Sequence, residues 1–471
     1  MTTATNAAMQ TRDIPHRVHV VGAGGRHMSA VAQILHTWGH EVTGSDQKAN
    51  SWTEKLGSLG IPVTIGHAAE NIGAAELVTY TSAARAENPE LVEARKRGLP
   101  VLKRDEMVAR LMRGRFGVAV AGTHGKTTTS GLMTHILIEA GLDPMYLIGG
   151  EVRGLGSNAG VGAGTHVVVE ADEYDKAFLA YTPDVAIVLN VESDHMDVFT
   201  DEEDLHESFR QFMANVPEDG HLVACADSPG VREVMGRGGI GVRDVQMYGV
   251  EAGTPRPKWS ARNITNEGAT QTFEAVRGEA GVGTYTITLA GRHNVANCLA
   301  GVAASVAMGI DDDVIKRALS TYRGTGRRFE LVGEARGVTV MDDYAHHPTE
   351  ARATIAAAKE RFAGRRLVVL FQPYSFSRTR YLLDEWKTCF AGVDKLYVFQ
   401  TFAGREGPEA GISGSQLVEI LGPQVMYIDT FEQAAERIPG ELRAGDVFFT
   451  FGSGPEIDKA GRLVLERLRG G

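Results

Sequence analysis

The apolar residues of this chain come in short, nearly unbroken runs, each closed by glycine or small polar residues and followed by a stretch with helical spacing. Phe116 to Ala121 is one such run, and its lack of polar alternation predicts a strand buried on both faces. Beyond the glycines that follow it, Leu132, Ile136 and Leu137 recur at helical intervals as far as Gly141. The same order appears earlier, where Val18 to Val21 leads into a glycine turn, Ala30 to Trp38 has a helical pattern, and Glu41 to Asp46 predicts a strand ending in an acid. Val78-Thr-Tyr-Thr-Ser-Ala predicts a strand with a small polar end, and Asn88-Pro-Glu a helix start. Thr165 to Glu170 and Val185 to Asn190 predict two further strands that run into polar residues, and an alanine-rich helix runs from about Asn297 toward Gly309. Val338 to Asp343, Leu367 to Phe371, Lys395 to Phe399, Val425 to Ile428 and Val447 to Phe451 complete the set, separated by helical stretches. Strands alternating with helices in this way predict a doubly wound α/β fold.

At 471 residues the chain is too long for one core, and three domains are expected. The expected bounds are a loose tail over 1–15, then 16–109, 110–323 and 324–471, with the glycine-rich Gly324-Thr-Gly as a hinge. A formal net charge of -11 argues against nucleic acid or an acidic membrane as the main partner, because phosphate surfaces are held by clustered Lys and Arg. The three cysteines, Cys225, Cys298 and Cys389, form no Cys-x-x-Cys pair, so neither a disulfide framework nor a zinc knuckle is indicated. The polar first fifteen residues lack the apolar core of a signal peptide, and no apolar run is long enough to span a bilayer. A cytoplasmic enzyme, monomeric or weakly dimeric, is expected.

Candidate chemistry gathers at the strand ends. Gly122-Thr-His-Gly-Lys-Thr-Thr, between a strand and a helix, suits a phosphate grip. The helix N-terminus offers unpaired N–H groups, Gly122 and Gly125 let the backbone approach an anion, Lys126 adds charge, and Thr127 can ligate magnesium. The generic phosphate-loop pattern fails at Val120, where it asks for glycine, and the plain alternative is a glycine turn with a solvated lysine. Glu170 closes a strand where a hard cation is usually held, whereas Asp172, Glu173 and Asp175 read more readily as solvated turn acids. Val18 to Met28 resembles a dinucleotide fingerprint with Asp46 as the ribose acid, yet His27 stands in place of its third glycine. Asn294 and Asn297 suit reading a purine, or cap a helix. Arg327 and Arg328 follow the glycine-rich stretch, and the plain alternative for both is a surface charge. Asp343, Tyr344 and His346 crowd ionisable groups at one strand end, and Arg378 can hold a carboxylate bidentately.

These motifs together resemble the Mur ligases, the enzymes that build the peptidoglycan precursor. The resemblance rests on Gly-Thr-His-Gly-Lys-Thr-Thr, on Gly-x-Gly-Gly-x-x-Met-Ser near the start, on Asn190-x-x-x-Asp194-His195-x-Asp197, on Gly-x-His-Asn-x-x-Asn ending at Asn297, and on Arg328 before Phe329. It implies three domains, Rossmann-like at each end and a P-loop ATPase-type domain between them. It also implies ATP and Mg2+, held by Gly122, Thr123, His124, Gly125, Lys126, Thr127, Thr128, Asn294, Asn297, Arg328 and Asp343, with the metal on Thr127, Glu170 and His195. Lys126, Glu170, His195 and Arg328 would be catalytic. Gly22, Gly24, Gly25, Met28, Ser29, Ser82 and Ala83 would bind the UDP end of a UDP-N-acetylmuramoyl substrate, and Tyr344, His346 and Arg378 the amino acid. Asp-Asp-Tyr-Ala-His-His-Pro and Phe-Gln-Pro followed by Ser-Arg-Thr are similar to the branch that adds L-alanine to UDP-N-acetylmuramate through an acyl phosphate. The rival within the family is the murein-tripeptide recycling branch; outside it stand an NAD-dependent oxidoreductase and an ATP-hydrolysing switch. Several Mur ligases carry a carbamylated lysine about fifteen residues after the metal-binding histidine, but here that count reaches Phe209 and Arg210.

Overall fold

The computed structural model describes residues 13–194, 198–250, 257–404, 406–454 and 456–470. They form two compact units, drawn from the described parts of Met1–Arg262, Glu274–Tyr285 and Ala296–Thr325, and of Asn263–Phe273, Thr286–Val295 and Gly326–Gly471. Three sheets organise the described residues.

The first sheet is wholly parallel and comprises β1 (Arg17–Val21), β2 (Glu41–Asp46), β3 (Val63–Ile65), β4 (Leu77–Tyr80) and β5 (Val101–Lys103), in the order β3-β2-β1-β4-β5. The order reverses beside β1, so a crevice opens at the ends of β1 and β4, the place where such sheets take ligands. Asp13 pairs with Arg113 at 3.0 Å and Ile14 is buried in the core, so the loose tail expected over 1–15 does not reach Asp13; residues 1–12 lie outside the described residues.

The second sheet has ten strands. Its parallel middle holds β6 (Phe116–Ala121), β9 (His166–Ala171) and β10 (Val185–Val188), with β6 between the other two. β7 (Met145–Val152) and β8 (Ser157–Gly160) form an antiparallel ribbon at one edge. Toward the other edge lie β11 (His221–Cys225), β12 (Asp244–Gly249), β13 (Trp259–Glu267), β14 (Thr270–Arg277) and β15 (Ala280–Ile287). The uninterrupted apolar runs of β6 and β10 are accounted for by burial on both faces.

The third sheet comprises β16 (Glu330–Ala335), β17 (Val338–Asp343), β18 (Leu367–Phe371), β19 (Lys395–Phe399), β20 (Met426–Ile428) and β21 (Val447–Phe451), in the order β16-β17-β21-β18-β19-β20. Only β16 runs antiparallel to its neighbour. Separate apolar clusters cover its two faces, one containing Phe371, Trp386 and Phe451, the other Tyr397, Phe448 and Val464. The three sheets with their helices make the fold α/β, as the strand and helix alternation predicts.

Candidate active site

β6 delivers the chain into the phosphate loop. Gly122 has φ 139° and Gly125 φ 86°; a Cβ on the first would lie 3.0 Å from the Asn190 nitrogen, and on the second 3.0 Å from Asn297 Oδ1. Both positions therefore need glycine for conformation and for space. Asn190, just past β10, clasps the loop, since its Oδ1 accepts the His124 N–H at 2.7 Å and its Nδ2 donates to the His124 carbonyl at 3.1 Å. The Thr123 hydroxyl donates to the Glu192 carbonyl at 3.2 Å and accepts from the Glu192 N–H at 2.9 Å. Helix Lys126–Glu139 begins on Gly125 without a side-chain cap, which leaves its first N–H groups to an anion. Thr128 is buried there, its carbonyl accepting from the Tyr322 hydroxyl at 2.9 Å.

Lys126 is not a solvated lysine. Its ammonium donates to the Gly122 carbonyl at 2.6 Å and to both Glu173 oxygens, at 2.7 and 3.1 Å. Burial works against the charge, but Glu173 and Asp172 outweigh it and hold Lys126 above its ordinary range. Glu173 and Asp172 are not the solvated turn acids expected from the sequence, whereas the Asp175 side chain is 36% exposed. Glu173 is 1% exposed, Asp172 pairs with Arg104 at 3.1 Å, and Asp175 pairs with Lys103. With four carboxylates close in sequence at one strand end, each is supported by a cation or by backbone donors.

Glu170, in β9, is buried beside the loop. Its Oε1 accepts the Gly149 N–H at 2.7 Å, and the Thr127 hydroxyl also hydrogen-bonds the carboxylate. Burial pushes its pKa above the usual carboxylate range. A Cβ on Gly149 would lie 2.8 Å from Oε2, so the ribbon residue must be glycine for the carboxylate to fit. A hydroxyl and a carboxylate side by side are the oxygen donors a hard cation prefers. His195, the third expected ligand, lies outside the described residues, as do Met196 and Asp197.

In the first domain, the N–H groups of Gly22 and Ala23 donate to the Ser45 carbonyl at 2.8 and 2.9 Å, and Gly22 has φ 79°. Asp46, read as a ribose acid, instead accepts the Gly24 N–H at 2.9 Å and so serves the loop itself. Close packing of this turn is supplied by Gly44, whose Cβ would lie 2.8 Å from that of Ala23, which frees the third fingerprint position to carry His27. Met28 and Ser29 are buried in helix Arg26–Thr37, the Ser29 hydroxyl donating to the Arg26 carbonyl at 2.8 Å; they shape the turn from beneath. Gly25, Ser82 and Ala83 lie on the less buried rim. His27 reaches toward the phosphate loop, its Nε2 3.9 Å from Glu170 Oε2. Burial and the charge of Arg104 push it down to about 4.

The second unit holds its own cluster. Arg327 and Phe329 take the left-handed region, φ 58° and 48°, which is uncommon for such residues. Glu330 accepts the Arg327 N–H at 2.6 Å and Asp343 the Phe329 N–H at 2.7 Å, so both turns are held by carboxylates. Asp343 also accepts from the Ala345 N–H at 2.8 Å, and burial pushes it up to about 6 despite Arg328. Neither arginine is a surface charge. Arg327 donates to Asp342 at 2.9 Å and to the carbonyls of Gly452 and Gly454 at 2.8 and 3.0 Å, while Arg328 donates to Glu350 at 3.2 Å and lies 5.0 Å from the Tyr344 ring centre. Tyr344 meets His346 edge to face at 5.3 Å, His346 meets Tyr374 at 6.0 Å, and Arg378 sits 5.9 Å from the Tyr374 ring centre. Asn294, the third residue of helix Arg292–Ala307, donates its Nδ2 to the Ala290 carbonyl at 2.7 Å, a bond back to the preceding turn and not the N-cap that is the alternative in the sequence.

Family models match three consecutive parts of the chain: the Mur ligase family catalytic domain over residues 17–116, the Mur ligase middle domain over 120–305, and the Mur ligase glutamate ligase domain over 327–454. This chain belongs to the Mur ligase family. It is 41% identical over 463 residues, 98% of its length and all of the relative's, to the UDP-N-acetylmuramate–L-alanine ligase of Solidesulfovibrio magneticus. Identity to the enzyme of the same name from Sorangium cellulosum is 44% over 457 residues, 96% of each chain. Among solved structures, the UDP-N-acetylmuramate-alanine ligase of Thermotoga maritima superposes with a TM-score of 0.81 at 26% identity, covering 96% of this chain and 99% of that one. A murein peptide ligase from Psychrobacter arcticus shares the fold, with a TM-score of 0.73 at 24% identity over 97% and 99% of the two chains. No helix among the described residues of this Mur ligase is long and apolar enough to cross a membrane.

Several groups in this Mur ligase's site lie beyond the sequence reading. Glu350 escaped it, although its place four residues after His346 on a proline-started helix is a usable signal. Arg104, Gly149 and the loop-facing role of His27 had no local signal, since each acts on a residue 20 or more positions away.

Proposed function

We propose that this Mur ligase joins L-alanine to UDP-N-acetylmuramate with cleavage of ATP, adding the first amino acid of the peptidoglycan precursor. The observation that carries this reading is the 41 to 44% identity, over nearly the whole of both chains, to two ligases of that name. We take residues 16–109 as the UDP-substrate domain, 110–323 as the ATP domain and 324–471 as the amino-acid domain.

A carboxylate is a poor electrophile, so its oxygen first attacks the γ-phosphorus of ATP, ADP departs, and an acyl phosphate forms. The amine of L-alanine then attacks the acyl carbon, phosphate leaves, and the amine gives up a proton to leave an amide. The loop N–H groups and Lys126 meet the phosphoryl oxygens, with Glu173 keeping the ammonium charged and fixed; Arg328 adds a second positive charge. Asn297 lies against the loop at Gly125 and bounds the nucleotide site. Asp343 holds the Arg328 turn, and Tyr344, His346 and Arg378 receive the amino acid, Arg378 through its carboxylate. Thr127, Glu170 and His195 are the residues that would hold magnesium, which when bound neutralises charge on the transferring phosphoryl group.

Phosphate release from ATP, measured with single omissions, tests the reading. Release that requires both UDP-N-acetylmuramate and L-alanine supports it. Release that needs the tripeptide in place of L-alanine transfers the chain to the recycling branch, and release without either substrate makes it a nucleotide switch.

A further inference from the structure

The imidazole of His27 is held between two ions of opposite charge. On one side, Arg104 Nη1 lies 3.4 Å from His27 Nδ1, and a guanidinium can only donate, so Nδ1 is the accepting nitrogen and the proton of the neutral ring sits on Nε2. Arg104 is itself fixed by Asp172 at 3.1 Å. On the other side, that Nε2–H points at Glu170 Oε2 from 3.9 Å, too far for a hydrogen bond, and is buried with no partner among the described residues. Glu170 Oε1 is already occupied by the Gly149 N–H. A buried donor without an acceptor is costly, and Glu170 Oε2 is the carboxylate oxygen that faces it.

We propose that His27 is a positioning residue for the Glu170 carboxylate, donating its Nε2–H to Oε2 when the cation site fills. This rests on the reading that Glu170 holds magnesium. Ligating carboxylates are commonly oriented by such outer hydrogen bonds, whose loss weakens metal binding about 10 to 100-fold. A residue on helix Arg26–Thr37 of the first domain thereby shapes the ATP site of the second.

The test is Mn2+ binding to the full chain with a non-hydrolysable ATP analogue, followed by electron paramagnetic resonance, alongside the Mg2+ dependence of phosphate release. His27→Phe keeps a ring without the donor, His27→Gly removes the side chain, and His27→Gln restores an N–H near Nε2. The expected result is an Mn2+ affinity about 10-fold or more weaker in the first two variants and near wild type in His27→Gln, with the Michaelis constants for UDP-N-acetylmuramate and L-alanine unchanged. Glu170→Gln serves as the control for the underlying reading. If it leaves Mn2+ binding intact, Glu170 is not the ligand and that reading fails. If it weakens binding while His27→Phe and His27→Gly do not, the positioning role is overturned, as it is if His27→Gln binds as weakly as His27→Phe.

Discussion

Replacing Lys126 by methionine removes a cation tied to a carboxylate and a loop carbonyl, so two losses follow and the structure allows them to be separated. The first is structural. Without the ammonium, Glu173 is left as a buried charge, with Asp172 and Glu170 close enough to act on the same site, and breaking a buried pair from one side costs about 3 to 5 kcal/mol of stability. The second is catalytic, because one lost contact to the transferring phosphoryl group costs about 3 to 4 kcal/mol, or roughly a hundredfold to a thousandfold in turnover. Only the structural loss can be relieved by neutralising the orphaned acid. Lys126→Met should therefore lower the urea midpoint, and Lys126→Met with Glu173→Gln should recover most of it, while phosphate release at saturating substrates stays down in both. Binding of the UDP substrate, measured by calorimetry, should match wild type. A double variant that regains stability and also more than about a tenth of wild-type turnover would refute the role given to the ammonium.

Glu90 makes a separate case in pH. Burial alone would raise its pKa, but His19, 3.6 Å from the carboxylate, and hydrogen bonds from Ser45 and Asn71 outweigh it and pull the carboxyl from 4.5 down to about 2. A depressed acid stabilises the fold above its unfolded value, so about 3 kcal/mol present at neutral pH should be lost as pH falls from about 4.5 toward 2. Urea unfolding of wild type and Glu90→Gln across that window should converge; a constant gap would count against it. Arg327→Ala should destabilise by about 3 kcal/mol in thermal or urea unfolding, because it orphans Asp342, whereas Arg328→Ala should chiefly slow phosphate release; equal effects on stability would undo the division. Turnover should be indifferent to dissolved CO2, since Phe209 is buried against Phe178 and Arg210 is paired bidentately with Glu207, and neither can be carbamylated. Activity that falls in CO2-stripped buffer and returns with bicarbonate would contradict this.

The strands that the sequence defines to the residue with a buried apolar run, Phe116–Ala121, Leu367–Phe371, Lys395–Phe399 and Val447–Phe451, are those whose run is closed by a polar residue or a glycine. Their burial dictates their composition, which makes them legible. β13 to β15 carry mixed, largely polar sequence with exposed positions and give no continuous apolar run, so nothing in the pattern announces them. The phosphate loop is legible for a different reason, since its glycines answer to local conformation and close approach. Glu173, Arg104 and His27 answer to partners distant in sequence, and only the assembled sheet shows that one acid is a buried counter-ion while its neighbours pair elsewhere.

The central claim, amide formation through an acyl phosphate, is tested most directly by oxygen transfer. UDP-N-acetylmuramate labelled with 18O in both carboxylate oxygens is incubated with the protein, ATP and L-alanine, and both products are weighed by mass spectrometry. The account predicts one 18O in each phosphate released and one retained in the new amide carbonyl of an L-alanine adduct. Unlabelled phosphate, or ATP cleavage with no adduct formed, would contradict it.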